Sequence, residues 1–439
     1  MEKRILIVDD EERVLESIRG VLEDEGFRVT AVKSGTEALE AFQRERPDVT
    51  LLDIWMPGMD GIEVLKRLKG IDPDCQVIMI SGHATISTAM AAVKQGALDF
   101  IEKPISLDAL LKSVRVALDR PVEGMEDPQA PAPVTDREGA PPVSLETQSP
   151  LPPKGRKRPS TPLALQKTIQ KSVVLYGRGL HSGMKTGLLL QPLPPHSGIL
   201  FGNVSNEEVV PAHLDYVQTT EYATSLKKGM AIAKTVEHLL AVLHAYGITN
   251  LMVKMIEEIP IMDGSAIEFC KMIEEAGIEE QDERTDEIVI DRRYEVIHKH
   301  KSLVIEPAET LTIHYFLDYP YPIGPQSLEF VLDSAVSFKE QIAPARTFGF
   351  LKDIEMLERM GLAGGGRLHN FILVDDEKVV NTELRFPDEF VRHKILDLIG
   401  DLYLLNRPIR GRVTARFTGH TENIAMMRKI QEGLRLKGP

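Results

Sequence analysis

In the first 120 residues, acids, a hydroxyl and an amine sit where short apolar runs stop, and this constrains the chain more than any other feature. The runs at 5–8, 28–32, 49–54, 76–80 and 99–102 read as strands, and they alternate with helical patterns near 11–25, 35–46, 60–69, 84–96 and 106–119. Such regular alternation predicts an α/β, doubly wound, five-stranded parallel sheet with helices on both faces. The functional crevice of such a fold lies beyond the carboxyl ends of the strands. Asp9-Asp10, Asp53, Ser81 and Lys103-Pro104 all fall at that edge. A single acid there would do no more than cap the loop or helix that follows. Converging acids repel one another unless a cation sits among them, and a hard oxygen cluster suits Mg²⁺.

Val8-Asp9-Asp10, Leu52-Asp53-Ile54-Trp55-Met56-Pro57-Gly58-Met59-Asp60-Gly61, Ser81-Gly82-His83 and Lys103-Pro104 carry a resemblance to response-regulator receiver domains. The resemblance implies that Asp53 accepts a phosphoryl group from a sensor histidine kinase. It also implies that Asp9, Asp10, Asp53 and the Trp55 carbonyl hold Mg²⁺, that Ser81 and Lys103 contact the phosphoryl oxygens, and that Phe100 is the switch aromatic. Neutralising phosphoryl charge with Mg²⁺ and a lysine is what such a transfer requires.

From 121 to 162 the composition turns to Pro, Glu, Ala, Ser and Thr, with a basic cluster at 154–158. This segment is expected to be a disordered tether between 1–120 and the region beyond 163, because it buries too little apolar surface to offset its ordering entropy. A flexible chain of that length spans on the order of 35 Å. The basic cluster is a solvated feature or a point of transient contact with an anionic membrane surface. With 439 residues, a net charge of −14 and 27% charged residues, the chain reads as multidomain and globular, and broad nucleic-acid binding is disfavoured. No apolar run is long enough to span a bilayer and the first residues lack a signal-peptide pattern, so a cytoplasmic location is expected. The two cysteines, Cys75 and Cys270, fall in different predicted domains and rule out a cysteine-based zinc site.

Beyond 163, strand-like runs at 187–190, 250–256, 287–290, 302–305, 311–316, 371–374 and 411–417 mix with helical patterns at 230–246, 266–276, 349–360, 387–404 and 421–436. The order predicts α+β, in two similar sheet-and-helix halves, 163–285 and 286–439. On the predicted helix around 390–402, His393, Asp397 and Asp401 recur at four-residue spacing and share a face. Alone, that face reads more often as a solvated charge pair than as a metal site. His238, preceded by Glu237, reads alone as a structural pair, and His420 in Thr418-Gly419-His420 reads as a cap at a strand-to-helix turn. Together they offer a metal set of His238, His393 and Asp397, with Glu237, Asp401 and His420 left over. Two imidazoles and a carboxylate with one open position describe a catalytic zinc.

Six motifs then resemble, in order, the UDP-3-O-acyl-N-acetylglucosamine deacetylases, the zinc amidases of lipid A biosynthesis. They are Gly179-Leu180-His181-Ser182-Gly183, Thr235-Val236-Glu237-His238-Leu239, Pro260-Ile261-Met262-Asp263-Gly264-Ser265-Ala266, Ala345-Arg346-Thr347-Phe348-Gly349-Phe350, Phe390-Val391-Arg392-His393-Lys394 with Asp397 and Gly400-Asp401, and Gly419-His420. The resemblance implies zinc on His238, His393 and Asp397, Glu237 as general base, Thr347 as oxyanion donor, and His420, oriented by Asp401, as the cation that protonates the leaving amine. Lys394 is expected to point away from the metal, towards substrate phosphate and sugar. His181, Phe348, Leu351, Ile354 and Leu368 are further expected contacts to a UDP-linked acylated amino sugar, and 350–373 resembles the inserted β-α-β unit that houses the acyl chain. Arg367 and Leu368-His369 depart from the family's usual residues there, which leaves acyl-chain length open.

The expectation is a zinc deacetylase controlled by a phosphorylatable receiver. A non-catalytic output module that binds a sugar nucleotide or partner is the alternative. A transcription regulator is disfavoured, since neither a helix-turn-helix nor a Gly-x-x-x-x-Gly-Lys loop is found.

Overall fold

The computed structural model describes residues 3–82, 92, 95–103, 105, 107–119, 164–203 and 207–435. The expected helix at 84–96, apart from isolated positions, His83, Pro104 and the expected tether at 121–162 lie outside the described residues.

The N-terminal body is a five-stranded sheet in which every pairing is parallel. Its strands are β1 (Arg4–Val8), β2 (Arg28–Val32), β3 (Val49–Asp53), β4 (Gln76–Ser81) and β5 (Asp99–Glu102), in the order β2-β1-β3-β4-β5. Helices Glu12–Asp24, Gly35–Glu45, Gly61–Ile71 and Leu107–Asp119 flank it. Ile5, Ile7, Leu51, Ile78 and Ile80 are buried to within 1%. That is the near-continuous apolar character of strands covered on both faces. Gly61 has a positional role, because a Cβ there would lie 2.1 Å from the Asp53 carbonyl oxygen.

The C-terminal body has two main sheets. One runs Val209–Pro211, Ile199–Asn203, Leu251–Met255, Lys185–Pro192, Val173–Arg178. The other runs Tyr294–His298, Lys301–Glu306, Ile409–Arg416, Leu311–Tyr319, Gly324–Val331, with Ile288–Val289 also paired to Ile409–Arg416. Helices Glu237–Tyr246 and Glu389–Leu402 pack on each other, and one continuous apolar core includes residues of both and of both sheets. Both helices are buried almost all round, the pattern of helices enclosed on every side. Gly400 permits the contact, because a Cβ there would lie 2.0 Å from the Glu237 carbonyl oxygen.

Two expected helices begin differently. Within 230–246, Ala231–Lys234 is a strand paired to Ser225–Lys228, and the helix starts only at Glu237. Ala and Lys are good helix formers, but intrinsic propensity is a weak bias and pairing across the turn at Gly229 overrides it. Within 349–360, Phe348–Phe350 pairs parallel with Ile372–Val374 before the short helix Ile354–Arg359. This is the expected β-α-β unit, with a shorter helix.

Candidate active site

Helix Glu237–Tyr246 brings His238, and helix Glu389–Leu402 brings His393 and Asp397, to one buried point. One ligand atom from each lies within 4.8 Å of the others. The two rings meet edge to face at 5.0 Å, and their Nε2 atoms lie 3.6 and 3.5 Å from Asp397 Oδ1. Those spacings are longer than good hydrogen bonds and close to the ~3.4 Å separating neighbouring ligands around a tetrahedral ion. His393 Nδ1 faces the Ala345 carbonyl oxygen at 3.2 Å, which leaves Nε2 for an ion. Burial drives the His393 pKa down to about 3, so the ring is neutral as a ligand must be.

Lys394 does not point away from this centre. Its Nζ donates to Asp397 Oδ2 at 2.7 Å. A three-residue step on a helix puts the two side chains on neighbouring positions, which is why the sequence expectation failed. Burial would raise the Asp397 pKa, but Lys394 and His393 hold it well below the usual carboxylate range, with Oδ1 turned towards the histidines.

Glu237, 3% exposed, opens its helix where the dipole favours a negative charge. Its Oε2 accepts from Thr224 N–H at 3.1 Å, and burial raises its pKa against the pull of His420 and His238. Thr235, two residues before it, holds a positive φ of 58°, a strained conformation for a β-branched residue that costs of order 1–3 kcal/mol. Glu258 steadies that bend: it accepts from Thr235 Oγ1 at 3.3 Å and from the backbone N–H groups of His181 and Ser182 at 2.8 and 2.9 Å. Both ring nitrogens of His181 are buried and find no hydrogen-bond partner among the described residues.

His420 begins helix His420–Arg435, and its Nδ1 lies 2.8 Å from Asp401 Oδ2. Burial disfavours the cation, but the Asp401 carboxylate outweighs it and pushes the pKa up to about 9. The 345–348 segment wraps His393. Arg346 forms a buried ion pair with Glu389, Thr347 N–H donates to the Gly264 carbonyl at 2.8 Å, and the Phe348 ring packs edge to face on His393 at 6.0 Å. Leu351 and Ile354 pack with Phe371 and Leu373 in a small separate core, while Leu368 is half-buried with its carbonyl bonded to Asn381. Sequence reasoning missed Thr224, Asn423, Glu258 and the Arg346–Glu389 pair. A threonine just ahead of a strand or an Arg–Glu pair far apart in sequence carries no periodic signal.

In the N-terminal body, Asp9, Asp10 and Asp53 form a second set of oxygen ligands within 4.8 Å of one another. Asp9 and Asp53 are buried and Asp10 is exposed. Lys103 Nζ bridges Asp9 and Asp53 at 2.7 and 2.9 Å and reaches Glu11 at 3.4 Å, contacts that hold its pKa above the usual lysine value against burial. Ser81 is buried at the end of β4, Phe100 is half-buried on β5, and Trp55 is exposed with its N–H 3.4 Å from Asp53 Oδ1.

The family described as UDP-3-O-acyl N-acetylglycosamine deacetylase matches residues 166–432, and the response regulator receiver domain matches residues 5–115. A UDP-3-O-acyl-N-acetylglucosamine deacetylase of Myxococcus xanthus is 44% identical over 270 residues, covering 60% of this chain and 86% of that protein. One of Thermodesulfovibrio yellowstonii is 42% identical over 272 residues, covering 62% of this chain and 93% of that protein. A solved receiver domain protein of Methanospirillum hungatei is 34% identical, covering 27% of this chain and 95% of its own, with a TM-score of 0.27. This chain belongs to the UDP-3-O-acyl N-acetylglycosamine deacetylase family and carries a response-regulator receiver domain ahead of its deacetylase fold.

Proposed function

We propose that the chain hydrolyses the N-acetyl group of a UDP-linked 3-O-acyl-N-acetylglucosamine in the cytoplasm, as a step of lipid A synthesis, with zinc as cofactor and the receiver as regulator. The observation that carries this reading is the convergence of His238, His393 and Asp397 beside a buried Glu237 and a paired His420–Asp401. The donor set fits zinc: two nitrogens and one carboxylate oxygen, with the other oxygen of Asp397 occupied by Lys394. When bound, zinc supplies Lewis acidity that polarises the amide carbonyl and acidifies water.

The chain's own groups do the rest. Glu237, the buried acceptor, takes the proton of the attacking water. The Thr347 hydroxyl donates to the oxygen that gains charge as the carbonyl carbon becomes tetrahedral. His420 is cationic at neutral pH and gives its Nε2 proton to the departing amine, while Asp401 on Nδ1 holds the ring in place. The C–N bond breaks, leaving acetate and a free 2-amino sugar. Lys394 fixes Asp397 and stands beside the sugar, and Phe348, Leu351, Ile354, Leu368 and His181 line its surroundings. A protein kept only to bind a sugar nucleotide has no need of a buried proton acceptor and a carboxylate-paired imidazole beside such a metal set.

In the receiver, Asp53 is the phosphoryl acceptor for a histidine kinase, and Asp9, Asp10, Asp53 and the Trp55 carbonyl would hold Mg²⁺, which would neutralise phosphoryl charge there. Ser81 and Lys103 hold the phosphoryl oxygens, and Phe100 reports the change. Among the described residues no helix is long and apolar enough to cross a membrane.

The test is acetate release from a UDP-3-O-acyl-N-acetylglucosamine by zinc-loaded protein, before and after a small-molecule phosphodonor with Mg²⁺, with Asp53→Ala as control. Zinc-dependent release that His238→Ala abolishes supports the deacetylase. A rate change that needs Asp53 supports the regulation. No release from fully zinc-loaded protein overturns the reading.

A further inference from the structure

Two carboxylates of the site meet at one threonine. Thr224 is fully buried, and each of its polar groups is engaged. Its N–H donates to Glu237 Oε2 at 3.1 Å, its carbonyl accepts from Val236 N–H at 3.3 Å, and its hydroxyl donates to Asp401 Oδ1 at 2.7 Å. The other Asp401 oxygen faces His420 Nδ1 and Asn423 Nδ2, each at 2.8 Å. Asp401 is itself 0% exposed, so protein donors and not solvent fix how its carboxylate is rotated.

We propose that Thr224 is a positioning residue: one residue's backbone and hydroxyl hold Glu237 and the Asp401–His420 pair at a set separation. This rests on reading Glu237 as proton acceptor and His420 as proton donor. With Oδ1 taken by the Thr224 hydroxyl, only Oδ2 is presented to His420, and the ring is held in a single orientation. A free Oδ1 would let the carboxylate turn and the imidazole follow it. The backbone N–H acts on Glu237 from the same residue, so the two proton-handling groups share one anchor although they come from different helices.

Thr224→Val tests the hydroxyl alone, since it keeps the branched shape and the backbone N–H; Thr224→Ser keeps the hydroxyl and drops the methyl. Both are made in the full, zinc-loaded chain, and zinc content and unfolding midpoint are measured with each. Expected for T224V is a kcat about 10–100-fold lower with KM within about twofold, and for T224S a kcat within about threefold of the starting protein. The second readout needs no substrate: the Nδ1 proton resonance of His420 in histidine-labelled protein, assigned by its loss in His420→Gln. It is expected to shift or broaden in T224V and to stay in place in T224S. If T224V does not fold, T224C, with a thiol of similar size that donates far more weakly, is read the same way.

T224V with unchanged kcat, T224S falling as far as T224V, or an unmoved His420 resonance in a folded T224V each overturns the proposal. Failure of the unaltered protein to release acetate overturns the deacetylase reading instead, and the resonance comparison still decides the role of Thr224.

Discussion

His420 sits in the first turn of a helix, where burial and the helix dipole both disfavour a cation, and the bonded Asp401, helped by Asp397 and Glu237, favours it. Its pKa, about 9, lies above the ordinary value of 6.5. The stability this pair contributes is therefore complete below about pH 6.5 and is lost as pH rises through about 9. Deacetylation is expected to fall over the same upper range. His420→Gln should lose about 10²–10⁴ in kcat and the basic limb of the pH–rate profile with it. Lys394 makes a different prediction, because its partner is a metal ligand. Removing its charge in Lys394→Ala lets the buried Asp397 carboxyl rise in pKa. Zinc affinity should fall by about 10–100-fold, most steeply towards acid pH, as measured by chelator competition at two pH values. A loss of rate without any change in zinc affinity would return Lys394 to a purely substrate-facing role.

The contact between helices Glu237–Tyr246 and Glu389–Leu402 depends on one missing side chain. Gly400→Ala would put a Cβ against the Glu237 carbonyl, and the helices must part. A cost of about 1–3 kcal/mol in unfolding free energy is expected, together with a loss of activity larger than the stability loss explains, because the displaced residue is Glu237. The Arg346–Glu389 pair joins the Thr347 loop to the start of the second helix. Arg346→Met should cost about 3–5 kcal/mol by leaving Glu389 charged, buried and unpaired, and denaturant titration reads it directly. How legible these elements are in sequence follows from the same physics. The inner strands of the parallel sheet are almost wholly apolar and are followed by acids or a hydroxyl, so their limits and end groups can be read to within a residue or two. In the deacetylase body, Leu165–Ile169, Val173–Arg178 and Gly324–Val331 escape notice, since they are partly exposed and mixed with Lys, Gly and Gln. His393 and Asp397 are legible as one helix face from their spacing, whereas His238, on a distant helix, joins them only when the motifs are read together. Lys394 is misread because helical neighbours three apart compete with any outward role. Thr224 is invisible because its partners, Glu237 and Asp401, lie 13 and 177 residues along the chain and form no periodic pattern with it.

At the scale of the molecule, the two bodies report separately. Trp55 is the only tryptophan of the chain, 58% exposed and two residues from Asp53. Its fluorescence should respond to Mg²⁺ and to a phosphodonor, and Asp53→Ala should abolish the second response without touching the zinc centre. Chelating zinc should instead lower only the deacetylase unfolding transition, by about 2.7 kcal/mol if the free ion had stood at 100 times its dissociation constant. The deacetylase centre also lies on a seam: the first sheet-bearing half gives Glu237 and His238, and the second gives His393, Asp397, Asp401 and His420. Neither portion of the polypeptide can rehearse the chemistry before the other has docked. During synthesis on the ribosome, a chain that stops short of His420 is therefore expected to be silent, with the two histidines and the carboxylate of the metal set already made and the cation beside them still missing.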